Sequence, residues 1–426
     1  MKTLHLGSTG SEVELLQLAL SRSGYYGGAK DGFFGTGTQN AVRRFQSDFA
    51  LVPDGVVGER TWDALRPFLF GYFMLTVRAG DSFYRIAKRY DTTPEAIAAA
   101  NPNADPENLK IGEKLVIPYG FDLVPSDMRY TSILTDLILD GLEARYPFLR
   151  SEVYGSSVLG RPLRAVNLGI GERSLLINAS HHANEWITTP LVLRFLENFL
   201  KALIRNGTIC GRSARSLYER VRLHIAPLVD PDGVDLVNGA LDRGSEAYAE
   251  AKRIAARYPS VRFPEGWKAN IAGVDLNLNY PADWEEARRI KFAQGWTTPA
   301  PRDFVGSEPL CAPESRALYE YTLSHSFDLS LSYHTQGREL YWRFKDAEPP
   351  RAHEIGEKMA AVSGYALADV PSESANAGYR DWFILNYDRP GYTVEAGEGV
   401  NPLPLSQLNE IYNDNIGIMI TAMENV

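Results

Sequence analysis

Apolar positions in the first part of the chain recur in short helical bursts. Val13, Leu16 and Leu20, with Leu15 and Leu18, fall on one helical face; Ala41, Val42 and Phe45 form a second stripe, and Trp62, Ala64 and Leu65 a third. The last two follow the same phrase: Asp31-Gly32-Phe33-Phe34-Gly35-Thr36-Gly37-Thr38 recurs as Asp54-Gly55-Val56-Val57-Gly58-Glu59-Arg60-Thr61. Each Asp-Gly suits a tight turn, because glycine takes positive φ cheaply, and Thr38 and Thr61 are placed to cap the helices that follow. The pattern predicts an internally repeated module of three short helices over residues 1–70. Leu75-Thr76-Val77 then reads as a strand and Ala79-Gly80-Asp81-Ser82 as a turn with a helix cap. Ile86, Ala87 and Tyr90 make a helical face, Pro94 to Ala100 a second helix that stops before Asn101-Pro102, and Leu115-Val116-Ile117 a closing strand. The order strand, helix, helix, strand predicts a βααβ module over residues 71–120.

From residue 121 to 426 the rhythm changes. Leu175-Leu176-Ile177-Asn178-Ala179, Val221 to Val229 and Phe327 to Tyr333 read as buried strands. Leu191, Phe195, Phe199 and Leu203 are spaced by four and share a helical face, with Thr189 as cap and Pro190 at the first position. Strands alternating with helices predict a doubly wound α/β sheet, with functional residues at strand C-terminal ends.

Composition narrows the function classes. The chain has 426 residues, 44% hydrophobic and 23% charged, too apolar for a disordered protein. With 44 Lys+Arg against 53 Asp+Glu the net charge is −9, which disfavours nucleic acid as a partner. The longest apolar run, Phe68 to Leu75, is far below the ~20 residues of a membrane span. The N-terminus lacks the apolar stretch of a secretory signal, so the expectation is a protein that reaches its target without one or a chain already trimmed. Cys210 and Cys311, the two cysteines, are read as free thiols.

The candidate chemistry lies at a strand end. His181-His182-Ala183-Asn184-Glu185-Trp186 follows the first buried strand. A zinc hydrolase needs three His or carboxylate ligands and one open position, and His182 with Glu185 has the spacing for one turn to aim both at one ion. His181 points the other way in an extended stretch. Of the seven histidines, His334 stands directly after a buried strand and is the natural third candidate. His224 lies mid-strand and reads as core, His325 precedes its strand, and His353 sits in a charged surface segment. His-x-x-Glu alone is weak evidence, and its position after a buried strand strengthens it.

The wider set of motifs resembles the carboxypeptidase A family of zinc peptidases. His182-x-x-Glu185-Trp186, Pro231-Asp232-Gly233, Gly273-Val274-Asp275-Leu276-Asn277-Leu278-Asn279, Ser332-Tyr333-His334-Thr335 and Tyr392-Thr393-Val394-Glu395 appear in family order. The resemblance implies a mixed-sheet zinc peptidase domain over residues 121–426. It implies one Zn2+ per chain on His182, Glu185 and His334, with Glu395 as general base and Asn277 on substrate. Leu278 stands where family carboxypeptidases have the arginine that holds the peptide's C-terminal carboxylate, and leucine cannot make that contact. Lys268, in Trp267-Lys268-Ala269-Asn270, occupies the region of the oxyanion-polarising arginine and is taken as its substitute. The family's mobile tyrosine falls on Glu373, nine residues before Trp382; Tyr379 is the nearest candidate for that role. Arg380, just before Asp381-Trp382, falls on a specificity position and makes the pocket cationic.

The first module resembles the three-helix peptidoglycan-binding domains of cell-wall hydrolases; its seven basic and seven acidic residues favour a sugar or peptide groove over charge attraction. The second resembles LysM domains, which implies binding to N-acetylglucosamine-containing glycan. Together these features resemble the family subgroup that hydrolyses the γ-D-glutamyl–meso-diaminopimelate bond of peptidoglycan stem peptides, in sporulation or muropeptide turnover. The competing expectations are a zinc carboxypeptidase on ordinary peptides and a wall-binding protein with a dead peptidase domain.

Overall fold

The computed structural model describes residues 1–371 and 375–426. The chain forms two compact units: residues 1–129 with 133–150, and residues 130–132 with 151–426.

The first unit opens with helices Ser11–Arg22, Thr36–Asp48 and Glu59–Phe70, whose apolar faces bury Leu16, Leu20, Val42, Phe45, Trp62 and Leu65. The repeat is physical as well as textual. Gln17 Nε2 donates to Asp31 Oδ1 (2.8 Å) and Gln46 Nε2 to Asp54 Oδ1 (3.1 Å), while Gly32 and Gly55, both at positive φ, donate back to the same two glutamines. Thr38 and Thr61 are not caps. The helices start earlier, after Gly35 and Gly58, and the two hydroxyls face Gln46 or Gln17 from inside the first turn. Strands β1 (Tyr72–Thr76) and β2 (Lys114–Pro118) pair antiparallel. Between them, helix Phe83–Arg89 is capped by Ser82 and helix Pro94–Ala100 by Thr93. Phe83, Ile86, Ile97, Leu115 and Ile117 close this small core. Arg145, at the end of helix Ser132–Arg145, donates to the Gly71 and Phe121 carbonyls.

The second unit is built on an eight-stranded mixed sheet. Its strands are β3 (Arg150–Ser156), β4 (Pro162–Leu168), β5 (Arg173–Ala179), β8 (Val221–Ala226), β9 (Leu329–His334), β10 (Glu339–Tyr341), β11 (Ala366–Ala368) and β12 (Gly391–Glu395). A hairpin of β6 (Thr208–Ile209) and β7 (Arg212–Ser213) lies outside it. The order is β11-β10-β12-β9-β5-β8-β4-β3. The central four, β12, β9, β5 and β8, run parallel, so their C-terminal ends share one edge. β5 and β9 are buried nearly throughout, as unbroken apolar runs require. Leu191, Phe195 and Phe199 of helix Thr188–Ile204 are fully buried. That helix begins one residue before Thr189, whose hydroxyl instead donates to the Pro227 carbonyl. Cys210 and Cys311 are free thiols. No helix among the described residues is long and apolar enough to cross a membrane.

Candidate active site

Parallel strand ends assemble the site. β5 stops at Ala179, and Ser180 turns the chain with a left-handed φ of 52°, its amide held by the Thr188 hydroxyl (3.0 Å). A short 3-10 turn, Ala183–Glu185, folds Glu185 back over His182. The register of β9 against β12 sets His334 directly beside Glu395.

His182 Nδ1 lies 2.9 Å from Glu185 Oε1, His334 Nδ1 2.9 Å from Glu185 Oε2, and the two Nδ1 atoms are 3.1 Å apart. All three side chains are buried. Three ligand atoms at these separations match, within a few tenths of an ångström, the edges of a tetrahedron with bonds of about 2.0–2.1 Å, the geometry of zinc on histidine and carboxylate. His182 Nε2 donates to Asp275 Oδ1 (3.1 Å), which leaves its Nδ1 lone pair aimed into the cluster. Burial alone would raise the Asp275 carboxyl, but Lys268 and His182 outweigh it and hold the group well below the usual carboxylate range. The Thr335 amide donates to Glu185 Oε2 (3.2 Å) and steadies the carboxylate. This donor set suits a divalent cation of the zinc type. His181 stands outside it, with Nε2 on the Tyr280 hydroxyl (3.2 Å).

The cluster opens into a cleft of about 850 Å³ lined by Glu395, Lys268, Asn277, Leu278, Arg302, Tyr341 and Arg380, among others. Burial, then the Glu185 charge, pushes the Glu395 carboxyl up to about 8. Lys268 Nζ lies 3.7 Å from Asp275 Oδ2, and that carboxylate, with Glu185 and Asp303, raises its pKa against the effect of burial. The sequence-read residues His182, Glu185, Glu395, Lys268, Asn277 and Arg380 therefore line one cleft, with His334 held against Glu185.

Two placements differ from expectation. Tyr379 is in the core and does not line the cleft: its hydroxyl meets Thr322 Oγ1 (3.0 Å) and its ring packs on Tyr280, Trp382 and Phe383. Arg380 does line the cleft, but its Nε and Nη2 are bonded to its neighbour Asp381, leaving a buried Nη1 with no partner. Asn277 Oδ1 accepts from the Tyr379 amide (3.0 Å), so its NH₂ group is the part left for substrate. Glu373 lies outside the described residues.

Sequence reading missed Asp275 as the partner of His182, although it sits inside a quoted motif. It also missed Arg302 and Asp303, which reach the cleft from a loop with no motif of its own. Glu152, His224 and His325 form a second grouping with ligand-type atoms within 4.8 Å of one another. There His224 is a core residue bonded to the Tyr321 hydroxyl (2.7 Å), as its mid-strand position implied.

Residues 136–416 match the zinc carboxypeptidase family model (peptidase M14), residues 9–65 a peptidoglycan-binding domain and residues 75–118 a LysM domain. The gamma-D-glutamyl-L-diamino acid endopeptidase 1 of Lysinibacillus sphaericus is 43% identical over 297 residues, 69% of this chain and 72% of that protein. The spore cortex-lytic enzyme of Bacillus subtilis (strain 168) is 36% identical over 104 residues, 23% of this chain and 34% of that protein. Among solved structures, bovine thrombin-activatable fibrinolysis inhibitor, in complex with tick carboxypeptidase inhibitor, aligns with a TM-score of 0.55 at 16% identity. The alignment covers 70% of this chain and 98% of that one, a likeness of fold.

Proposed function

Because the chain belongs to the zinc carboxypeptidase family, we propose that its cleft hydrolyses the γ-D-glutamyl–meso-diaminopimelate bond of peptidoglycan stem peptides, with one zinc per chain on His182, Glu185 and His334. The observation that carries the reading is the buried convergence of those three side chains beside Glu395, in a cleft whose lining has Leu278 at the position of the family's arginine. Zinc, when bound, supplies Lewis acidity that polarises the scissile carbonyl and acidifies water. Glu395 takes the proton of the attacking water and passes it to the leaving nitrogen. Lys268 faces the developing oxyanion, and Asp275 keeps His182 in one tautomer. Leu278 cannot clamp a peptide's terminal carboxylate as an arginine at that position would, which disfavours ordinary carboxypeptidase action. The residue divisions 1–70, 71–120 and 121–426 are proposed as wall-binding module, glycan-binding LysM module and catalytic domain, with a role in spore wall or muropeptide turnover.

Mass spectrometry of defined muropeptides, with and without a chelator, tests this. Chelator-sensitive cleavage between D-glutamate and diaminopimelate is expected. Stepwise release of C-terminal residues from ordinary peptides would move the chain to the carboxypeptidase reading instead.

Arg380 is proposed to read the carboxylate by which diaminopimelate differs from lysine, since its buried Nη1 lacks an acceptor. A charge-assisted hydrogen bond is worth ~1.5–3 kcal/mol, roughly ten- to hundredfold in rate. Arg380→Ala should slow diaminopimelate peptides by that factor and matched lysine peptides far less. Equal slowing of both would mean that the guanidinium only braces Asp381.

The two N-terminal modules are proposed to act by avidity on polymeric wall. Because Arg145 bonds the Gly71 and Phe121 carbonyls, the intact chain is the right reagent, not a deletion. Excess N-acetylglucosamine oligomers should slow digestion of insoluble sacculi about tenfold or more. They should leave hydrolysis of a soluble stem tripeptide unchanged; equal inhibition of both substrates would place the oligomer in the catalytic cleft.

A further inference from the structure

We infer that Arg302 forms a carboxylate subsite on the acyl side of the scissile bond, reading the free α-carboxylate of a γ-linked glutamyl residue; the inference rests on the linkage proposed above.

Backbone bonds fix where Arg302 stands. The amides of Lys268 and Ala269 both donate to the Pro301 carbonyl (2.8 and 2.9 Å), so Arg302 follows directly on the segment paired with Lys268. The Ala183 amide donates to the Lys268 carbonyl (3.1 Å), which ties the same strip to the turn bearing His182 and Glu185. Arg380 belongs to a different wall, on the helix whose first amide bonds Asn277, with its guanidinium over the Tyr341 ring.

Charge pairing then separates Arg302 from the two lysines beside it. Lys268, Lys291 and Arg302 share this corner with two carboxylates beyond the metal-type cluster, Asp275 and Asp303. Asp275 already serves His182 (3.1 Å) and Lys268 (3.7 Å). Asp303 gives Oδ1 to Lys291 (2.7 Å) and Oδ2 to Arg302 Nε (2.5 Å). Lys291 is thereby locked away, its side chain 10% exposed, whereas that of Arg302 is 47% exposed. Arg302 is anchored through Nε alone. Its two terminal nitrogens have no protein acceptor among the described residues, and Arg302 lines the cleft. An anchored guanidinium with a free fork is pre-organised for a carboxylate.

The chemistry of the linkage supplies that carboxylate. In an ordinary peptide the α-carboxyl of the acyl residue is consumed in the scissile bond, and a cation at this place has nothing to read. A γ-linked glutamyl residue spends its side-chain carboxyl instead. The α-carboxylate stays free, four bonds and about 5 Å from the reacting carbonyl carbon, on the side where Lys268 meets the oxyanion.

The test uses the full zinc-loaded chain and two tripeptides, L-Ala-γ-D-Glu-meso-diaminopimelate and its twin with the glutamyl α-carboxyl amidated. Wild type should favour the carboxylate form by ~10–100-fold in kcat/KM. Arg302→Gln should bring that preference to within about threefold by slowing the carboxylate form, and Arg302→Lys, which keeps charge without the fork, should fall between. Calorimetric binding of both peptides to the metal-free chain should show the same ranking. Equal rates in wild type overturn the inference, with no variant required. A preference that survives Arg302→Gln in a folded chain overturns it too, assigning the carboxylate to another cation. Failure of wild type to cut either peptide at the γ-glutamyl bond overturns the linkage reading and this inference with it.

Discussion

Removing the metal should abolish peptide hydrolysis and lower the melting temperature. His182 Nδ1, His334 Nδ1 and the Glu185 carboxylate crowd within about 3 Å of one another, with no lysine or arginine among the described residues bonded to Glu185. A divalent ion there neutralises the carboxylate and gives both imidazole lone pairs an acceptor, and an ion that binds only the folded chain stabilises it by mass action. Elemental analysis should find one zinc per chain, lost to a chelator and restored on adding zinc back. His182→Ala and His334→Ala should each lose the metal as well as the activity, because two remaining ligands hold zinc weakly. The His182 variant leaves Asp275 its Lys268 partner, so loss of zinc there is not a consequence of a stranded carboxylate. Wall binding should persist after chelation, since the proposed anchoring modules contain none of the three ligands. Full activity in chain shown by elemental analysis to be metal-free would sink the zinc-peptidase reading.

The metal-type cluster was legible because it stands on the strongest pattern in the chain. His182 and His334 mark the ends of β5 and β9, whose unbroken apolar runs announce buried parallel strands, and parallel strands put their ends on one edge. The loops between gave less away. Arg302 and Asp303 come into the cleft through bonds from the backbone of Lys268 and to the side chain of Asp275, a tertiary pairing that leaves no local period to read. Tyr379 failed for a geometric reason. Consecutive helical residues diverge by about 100°, so at the first turn of helix Tyr379–Tyr387 Arg380 lines the cleft and Tyr379 enters the core. The same sensitivity to one residue appears in the N-terminal repeats. Thr38 and Thr61 look like caps by composition, yet a buried glutamine pulls each inside the helix, and glycine takes the cap position with no side-chain bond.

Glu395→Gln should keep the zinc and lose about 10²–10⁴-fold or more in kcat, the usual contribution of a general base. The substitution is isosteric, and the Glu395 side chain has no hydrogen-bond partner among the described residues, so it breaks no structural bond. What it removes is proton affinity. Burial and the nearby Glu185 charge raise the Glu395 carboxyl to about 8 in the metal-free chain, so it would hold its proton at neutral pH. A cation on the neighbouring ligands acts in the opposite sense and favours the charged form. The result is a base that is ionised when substrate arrives and still avid enough to take a proton from water, which glutamine cannot do. Because the protonated, neutral acid of the metal-free chain and the amide are alike in size and charge, the melting temperature in that state should match that of wild type. Retained zinc, a melting temperature no lower and lost turnover together separate a chemical role from a structural one. A Glu395→Gln chain that turned over near the wild-type rate would require a different base in the cleft.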